Sequence, residues 1–211
     1  MFDKHELQNI ISGIGSVRNG EIIQSITDYL RREKTSIPNL EKGEFNKIEE
    51  TKVLVQFIDS KQLWFSKVDF SKYIGEGAEQ RIFESSDPNF IYKLNDSIFY
   101  SYWEDYLNSL LIHNFFFPHL AYELCGFLKQ DEKLYSVVKQ AYVKSTEATD
   151  LNNVKEFMEA NGFLLKKNND YYNPELGIIL EDLHDENVLT TKGVLQFIDT
   201  VFYLTEEFYK K

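Results

Sequence analysis

Three residues toward the end of the sequence have the types and spacing to transfer a phosphoryl group with the help of a metal ion. Asp182 and Asn187 lie five apart between two apolar runs, 176–180 and 194–198, and Asp199 follows the second run directly. In such chemistry one carboxylate orients an acceptor hydroxyl and takes its proton. An amide oxygen and a second carboxylate hold Mg2+ against the phosphates. The five-residue spacing puts Asp182 and Asn187 on one tight loop, and a hairpin through 194–198 would return Asp199 to the same mouth. Upstream, Gly75 and Gly77 sit between two extended segments, and Lys93 lies inside the next strand. Glycine lets backbone N–H groups come close to phosphate oxygens. A strand lysine can pair with phosphates and with an acid on the following helix, and Glu104 and Asp105 are the only acids in that helix.

Each feature also has an ordinary reading on its own. Two glycines make a hairpin turn, and Lys93 can snorkel to water from an edge strand. Glu104 can be a solvated helix acid. Asp182 to Asn187 can be a turn whose side chains bond the backbone, Asp199 can cap a following helix, and His184 can pack within its loop. The order of the five features along the chain is what argues for a shared site.

The elements that must position these residues can be read from hydrophobic periodicity and turn chemistry. Residues 3–34 read as two short helices broken at Gly13, Gly15 and Gly20. The spacing from Gly15 to Gly20 imitates a phosphate loop, but Glu21 and Ile22 stand where Lys and Ser or Thr would be needed. Residues 35–50, polar and with Pro38, read as a linker. Strands are expected at 53–58, at 73–83 around the glycine turn, and at 90–94, with 63–65 and 68–70 extended. Asn95 to Ser97 would cap a helix over 98–116 that ends at Pro118. Two strands, 120–128 and 134–143, follow. A helix over 150–161 closes at Gly162, and 201–209 reads as a last helical stretch.

Composition narrows the function classes. Hydrophobic residues make up 43% and aromatics 15% of 211 residues, enough for a substantial core. The formal charge of -11 opposes non-specific binding to nucleic acid or to an anionic membrane surface. Any phosphate site must therefore be locally basic or built from backbone N–H groups. One cysteine, Cys125, excludes an internal disulfide and reads as a core residue in its apolar run. His5, His113 and His119 show no metal-ligand clustering. No apolar stretch is long enough to span a bilayer and no secretory leader is visible, so the expected compartment is the reducing cytoplasm.

Taken in order, the glycine turn, strand lysine, helix acid, paired strands and Asp–Asn–Asp set resemble the protein-kinase-like superfamily. Asp182-Leu183-His184-Asp185-Glu186-Asn187 is similar to the D-L-H-x-x-N loop of aminoglycoside phosphotransferases, and Ile198-Asp199 to the I-D that replaces D-F-G there. The length and small C-terminal half look most similar to the kinase domain of polyvalent proteins, found on phages and conjugative elements. The resemblance covers roughly 65–203. Gln80 stands where the third glycine of G-x-G-x-x-G would be.

The resemblance implies an α+β, two-lobed fold with an antiparallel-sheet N-lobe over 51–143 and a reduced C-lobe over 144–211. A helical arm and linker over 1–50 would precede them. It implies ATP and Mg2+ as cofactors, with Gly75, Gly77 and Lys93 at the phosphates, and Gln140 and Tyr142 in a hinge whose backbone binds adenine. Glu104, or Asp105 in its place, would orient Lys93. Asp182 would be the base, and Asn187 and Asp199 the metal ligands. Two functions follow from different classes. One is a phosphotransferase acting on a hydroxyl acceptor on a protein or small molecule. The other is a pseudokinase that binds nucleotide or protein without turnover. The arm is a candidate surface for a protein partner.

Overall fold

A computed structural model of the chain describes residues 2–36, 46–77 and 80–210. Helix α1 (Lys4–Ile11) starts at Asp3, whose side chain accepts from the His5 N–H, and α2 (Glu21–Ser36) follows the glycine-containing turn. Both agree with the broken helical pattern expected there. The expected linker is only partly in view: residues 37–45, with Pro38, lie outside the described residues.

The expected strand at 53–58 is instead the middle of α3 (Lys47–Lys61). A six-residue apolar run does not by itself distinguish a buried strand from a helix. Two features decide it. Asn46 caps the helix by accepting from the Ile48 and Glu49 N–H groups. Glu50, Leu54, Phe57 and Ile58 then fall on one buried face at helical spacing. The helix runs across the expected border between residues 50 and 51.

After α3 the chain extends along what becomes a neighbouring strand: Phe65 donates to the Phe127 carbonyl, and the Phe127 N–H to that of Leu63. Phe70, expected to be extended, lies in a short 3-10 turn, Phe70–Lys72. Strands β1 (Tyr73–Glu76), β2 (Gln80–Glu84), β3 (Phe90–Asn95), β4 (Glu123–Gln130) and β5 (Lys133–Ala141) form one antiparallel sheet in the order β1-β2-β3-β5-β4. Ala78 and Glu79, in the glycine turn, lie outside the described residues.

Helix α4 (Trp103–Phe116) packs beneath that sheet. It begins at Trp103 rather than at residue 98. Asn95 and Asp96 bond the N–H groups of Ser97 and Ile98 and so make turns instead of a cap. The helix N-terminus is served by Glu50, which accepts from the Trp103 and Glu104 N–H groups. β4 also begins later than expected, because Pro118–Leu120 forms a 3-10 turn.

The second lobe starts with α5 (Leu151–Ala160), which begins one residue later than expected because Asp150 caps it, and which is followed, as expected, by Gly162 with φ +82°. Strands β6 (Leu164–Leu165), β7 (Tyr171–Asn173), β8 (Ile178–Glu181) and β11 (Val201–Leu204) make a sheet in the order β11-β8-β7-β6. Strands β9 (Val188–Thr191) and β10 (Val194–Phe197) form a separate hairpin. The stretch 201–209, expected to be helical, is β11 followed by a 3-10 turn. Val201 to Leu204 pair with Glu181 to Ile178, because β8 offers a free edge that a local pattern cannot reveal. Asp199 therefore caps no helix.

One core joins these parts. Leu7, Ile10, Ile23, Ile26 and Leu30 of the arm are almost wholly buried in the same cluster as Leu107 and Leu111 of α4 and Phe202 of β11. Burial of each such side chain contributes about 1.5–3 kcal/mol, so the arm is an integral layer of the fold. His113 of α4 also ties the lobes together. Its Nε2 lies 3.1 Å from the Leu120 carbonyl, which can only accept, so Nδ1 accepts from the Thr200 hydroxyl at 2.7 Å. Burial pushes its pKa down to about 3 and keeps it neutral. Among the described residues no helix is long and apolar enough to cross a membrane.

Candidate active site

The open cleft between the five-stranded sheet and the second lobe has a volume of about 910 Å3. Gly75, Gly77, Lys93, Asp182, Asn187 and Asp199 all line it, so residues up to 124 positions apart face one space.

The β9–β10 hairpin does the returning. The Ile198 and Asp199 N–H groups both donate to the Asn187 carbonyl, at 3.0 and 3.2 Å. Asp182 takes a left-handed backbone, φ +66°, which aspartate tolerates better than most residues. Its own N–H donates to Asp170 Oδ1 at 3.2 Å. Asn187 Nδ2 donates to the Asp182 carbonyl at 2.9 Å and to Asp182 Oδ2 at 3.1 Å. Those bonds use both amide protons and leave Asn187 Oδ1 directed elsewhere. His184 completes the loop. Its Nδ1 accepts from the Glu186 N–H at 3.3 Å, so the proton sits on Nε2, 3.2 Å from Asp182 Oδ1. Both carboxylate oxygens of Asp182 are thus held, while the side chain stays more than half exposed to the cleft.

Lys93 is 1% exposed. A strand places it there: β3 lies between β2 and β5, and its residues alternate between the sheet's two faces. Its ammonium donates to the Ile198 carbonyl at 2.6 Å, and Asp199 Oδ2 lies 3.9 Å away. The Tyr122 ring sits 5.4 Å from it, and the Tyr122 hydroxyl donates to the same Ile198 carbonyl at 3.0 Å. Burial pulls the Lys93 pKa down and the Asp199 charge opposes that pull. The other Asp199 oxygen, Oδ1, accepts from Gln80 Nε2 at 2.6 Å.

Glu104 does not reach this group. Its carboxylate pairs with Arg31 of α2 at 2.6 Å, and Arg31 also bonds the Ile11 carbonyl and Asn108 Oδ1. Asp105, the substitute, accepts from the Tyr102 N–H at the start of α4. The physical reason is the face of α4 they occupy. At about 100° per residue Glu104 points to the side opposite Tyr106 and Asp105 to the flank, whereas Tyr106, Ser109 and Leu110 face the small cavity behind Asp199.

The expected hinge residues lie apart from the cleft lining as well. Gln140 is buried and donates to the Leu120 carbonyl at 2.9 Å, and the Tyr142 N–H is taken by the Asn89 carbonyl at 2.8 Å. Pairing of β3 with β5 continues to Phe90 opposite Ala141, which draws this segment into the sheet.

The sequence reading missed Gln80, Tyr122 and the role of Glu50. Gln80 had a signal, since it occupies the third position of the glycine pattern. Tyr122 and Glu50 had none, because their partners are distant in sequence.

Among the described residues no three of His, Cys, Asp and Glu gather to hold a metal by themselves. Asp199 with Asn187 Oδ1 suits Mg2+, which binds through one or two protein oxygens and completes its shell with phosphate and water. Gly75 and Gly77 suit a phosphate group. Among the described residues a Cβ on either would meet nothing within 4 Å, and neither has a positive φ. The space above both is therefore open to a ligand, which glycine lets come close to the backbone.

No curated protein and no solved structure matches the chain. The sequence model of the family described as "Serine/Threonine/Tyrosine Kinase found in polyvalent proteins" matches residues 47–206, from the start of α3 through β11. With its two-lobed α+β fold and the lysine and two aspartates on one cleft, the chain belongs to the kinases found in polyvalent proteins.

Proposed function

We propose that the protein is a phosphotransferase that moves the γ-phosphoryl group of ATP to a hydroxyl acceptor in a Mg2+-dependent reaction. One observation carries the reading: Lys93, Asp182, Asn187 and Asp199 share one cleft with Gly75 and Gly77, over which the described residues leave open space. Bound Mg2+ would neutralise charge on the phosphate oxygens, and Asp199 and Asn187 Oδ1 would hold it. Lys93 contributes a buried positive charge whose nearest carboxylate is 3.9 Å away, close enough to be stabilised and far enough to leave its donors available. Asp182 would orient the acceptor hydroxyl and accept its proton. His184 Nε2 and Asn187 Nδ2 hold that carboxylate in place, so it need not reorganise when the acceptor binds.

A second reading, nucleotide binding without turnover, draws on a different observation: the helix acid that would orient Lys93 is held by Arg31 instead. ADP formation separates the two. The phosphotransferase reading expects ADP release and label transfer that depend on Mg2+. It expects Asp182→Asn to keep nucleotide affinity within about threefold while slowing turnover roughly 100- to 10,000-fold, the range of a positioned general base. Wild-type turnover in Asp182→Asn would remove Asp182 from the mechanism, and binding with no turnover in the wild type would favour the second reading.

A further inference from the structure

Gln80 reaches from the sheet to the second lobe. It is the first residue of β2, its carbonyl accepts from the Gly77 N–H at 2.9 Å, and its register partner on β3 is Asn95. Its side chain crosses the cleft to Asp199 Oδ1 at 2.6 Å. A carboxylate accepts only, so the side-chain NH2 faces it and the amide orientation is determined. The bond is charge-assisted and partly buried, and such bonds are stronger than neutral ones. One residue therefore closes the glycine turn with its backbone and holds the aspartate with its side chain.

We propose that Gln80 is the positioning residue for the metal-binding carboxylate. By occupying Oδ1, it turns Oδ2 of Asp199 toward Lys93 and the cleft, and it ties the height of the glycine turn to the place where the metal sits. A glycine at this position, as in the G-x-G-x-x-G pattern, has no side chain to do so. In this protein the third position of the pattern serves the metal ligand rather than the phosphate approach. The inference rests on the phosphotransferase reading above, and concerns how its metal site is assembled.

The test compares full-length wild type with Gln80→Met, which keeps the volume and loses the donor. Calorimetric titration measures Mn2+ binding to ADP-saturated protein and, separately, ADP binding without metal. Gln80→Met is expected to weaken Mn2+ roughly tenfold, the size of one hydrogen bond to a charged group, and to leave metal-free ADP affinity within about twofold. A residue that merely anchors the turn would shift both affinities together, and that result overturns the inference, as does Mn2+ affinity in Gln80→Met equal to wild type. Wild-type protein that binds no metal–nucleotide overturns the phosphotransferase reading and this inference together. A normal wild type beside a silent Gln80→Met overturns this inference alone.

Discussion

Glu50 should give the protein a pH-dependent stability that one substitution removes. The side chain is 2% exposed, and its oxygens accept from the Trp103 N–H at 2.5 Å and the Glu104 N–H at 3.2 Å, at the start of α4. Burial pushes its pKa up from 4.5 to about 7, with Glu104 and Asp105 adding to the rise and the two amides opposing it. Below 4.5 Glu50 is protonated in both folded and unfolded chains and contributes no pH dependence. Between 4.5 and about 7 the unfolded chain releases the proton while the folded protein keeps it, so stability falls as pH rises. At 1.36 kcal/mol per pKa unit, the loss is about 3 kcal/mol and is complete once the pH exceeds the folded value.

Glu50→Gln cannot ionise. Its carbonyl can still accept from Trp103, but its NH2 would confront the Glu104 N–H, at a cost of about 1 kcal/mol. The variant should therefore be about 1 kcal/mol less stable than wild type at about pH 4, below the unfolded value, and about 2 kcal/mol more stable at about pH 8. The two stability curves should cross at about pH 5, where the accumulated loss in wild type reaches about 1 kcal/mol. Urea unfolding of both proteins from about pH 4 to about pH 8 measures this, and titrating groups that do not interact with Glu50 cancel in the difference. Parallel curves would refute the reasoning, because they would mean that Glu50 carries its charge in the folded protein at no expense.

Two further substitutions bear on the site and on the sheet. Lys93→Met should weaken Mg2+-dependent nucleotide binding about tenfold or more, yet leave stability unchanged or raise it by about 1 kcal/mol. Asp199 keeps its Gln80 partner and a partly exposed carboxylate, so no buried charge is stranded. Thermal unfolding alongside nucleotide titration checks this, and a large stability loss with intact binding would contradict it. Gly126→Ala should destabilise by about 2–4 kcal/mol. Gly126 has φ +141° at a bulge in β4, and a Cβ there would lie 2.3 Å from the Leu63 carbonyl oxygen that holds residues 63–65 to the strand. A loss below about 1 kcal/mol in urea unfolding would show that the chain relaxes around the methyl group.

Features decided within a few residues were legible in the sequence. α5 falls within the expected 150–161 and Gly162 follows its end, because a glycine with positive φ acts on the backbone groups of its own turn. Lys93 lies in a strand, and Asp182, Asn187 and Asp199 lie on a loop and at the end of a hairpin, because β-turn chemistry and short apolar runs are local properties. Where two local readings were equally good, sequence alone did not choose. The run at 53–58 became helical through its cap at Asn46 and the burial of Leu54, Phe57 and Ile58 against the core, and 201–204 became a strand because β8 had an edge to pair.

The assembly of the site was a matter for tertiary structure. The amino-acid sequence by itself determined which chemical groups are present and in what order: a glycine turn, a strand lysine, and an Asp–Asn–Asp set. Only the folded chain decided which of them meet. Glu104 went to Arg31, 73 positions away, and Asp199 went to Gln80, 119 positions away. Hydrophobic burial is non-directional and brings elements together without naming partners. Which polar groups then pair depends on the helix or strand face each occupies once packed, and the face of α4 that carries Glu104 is the one that meets Arg31.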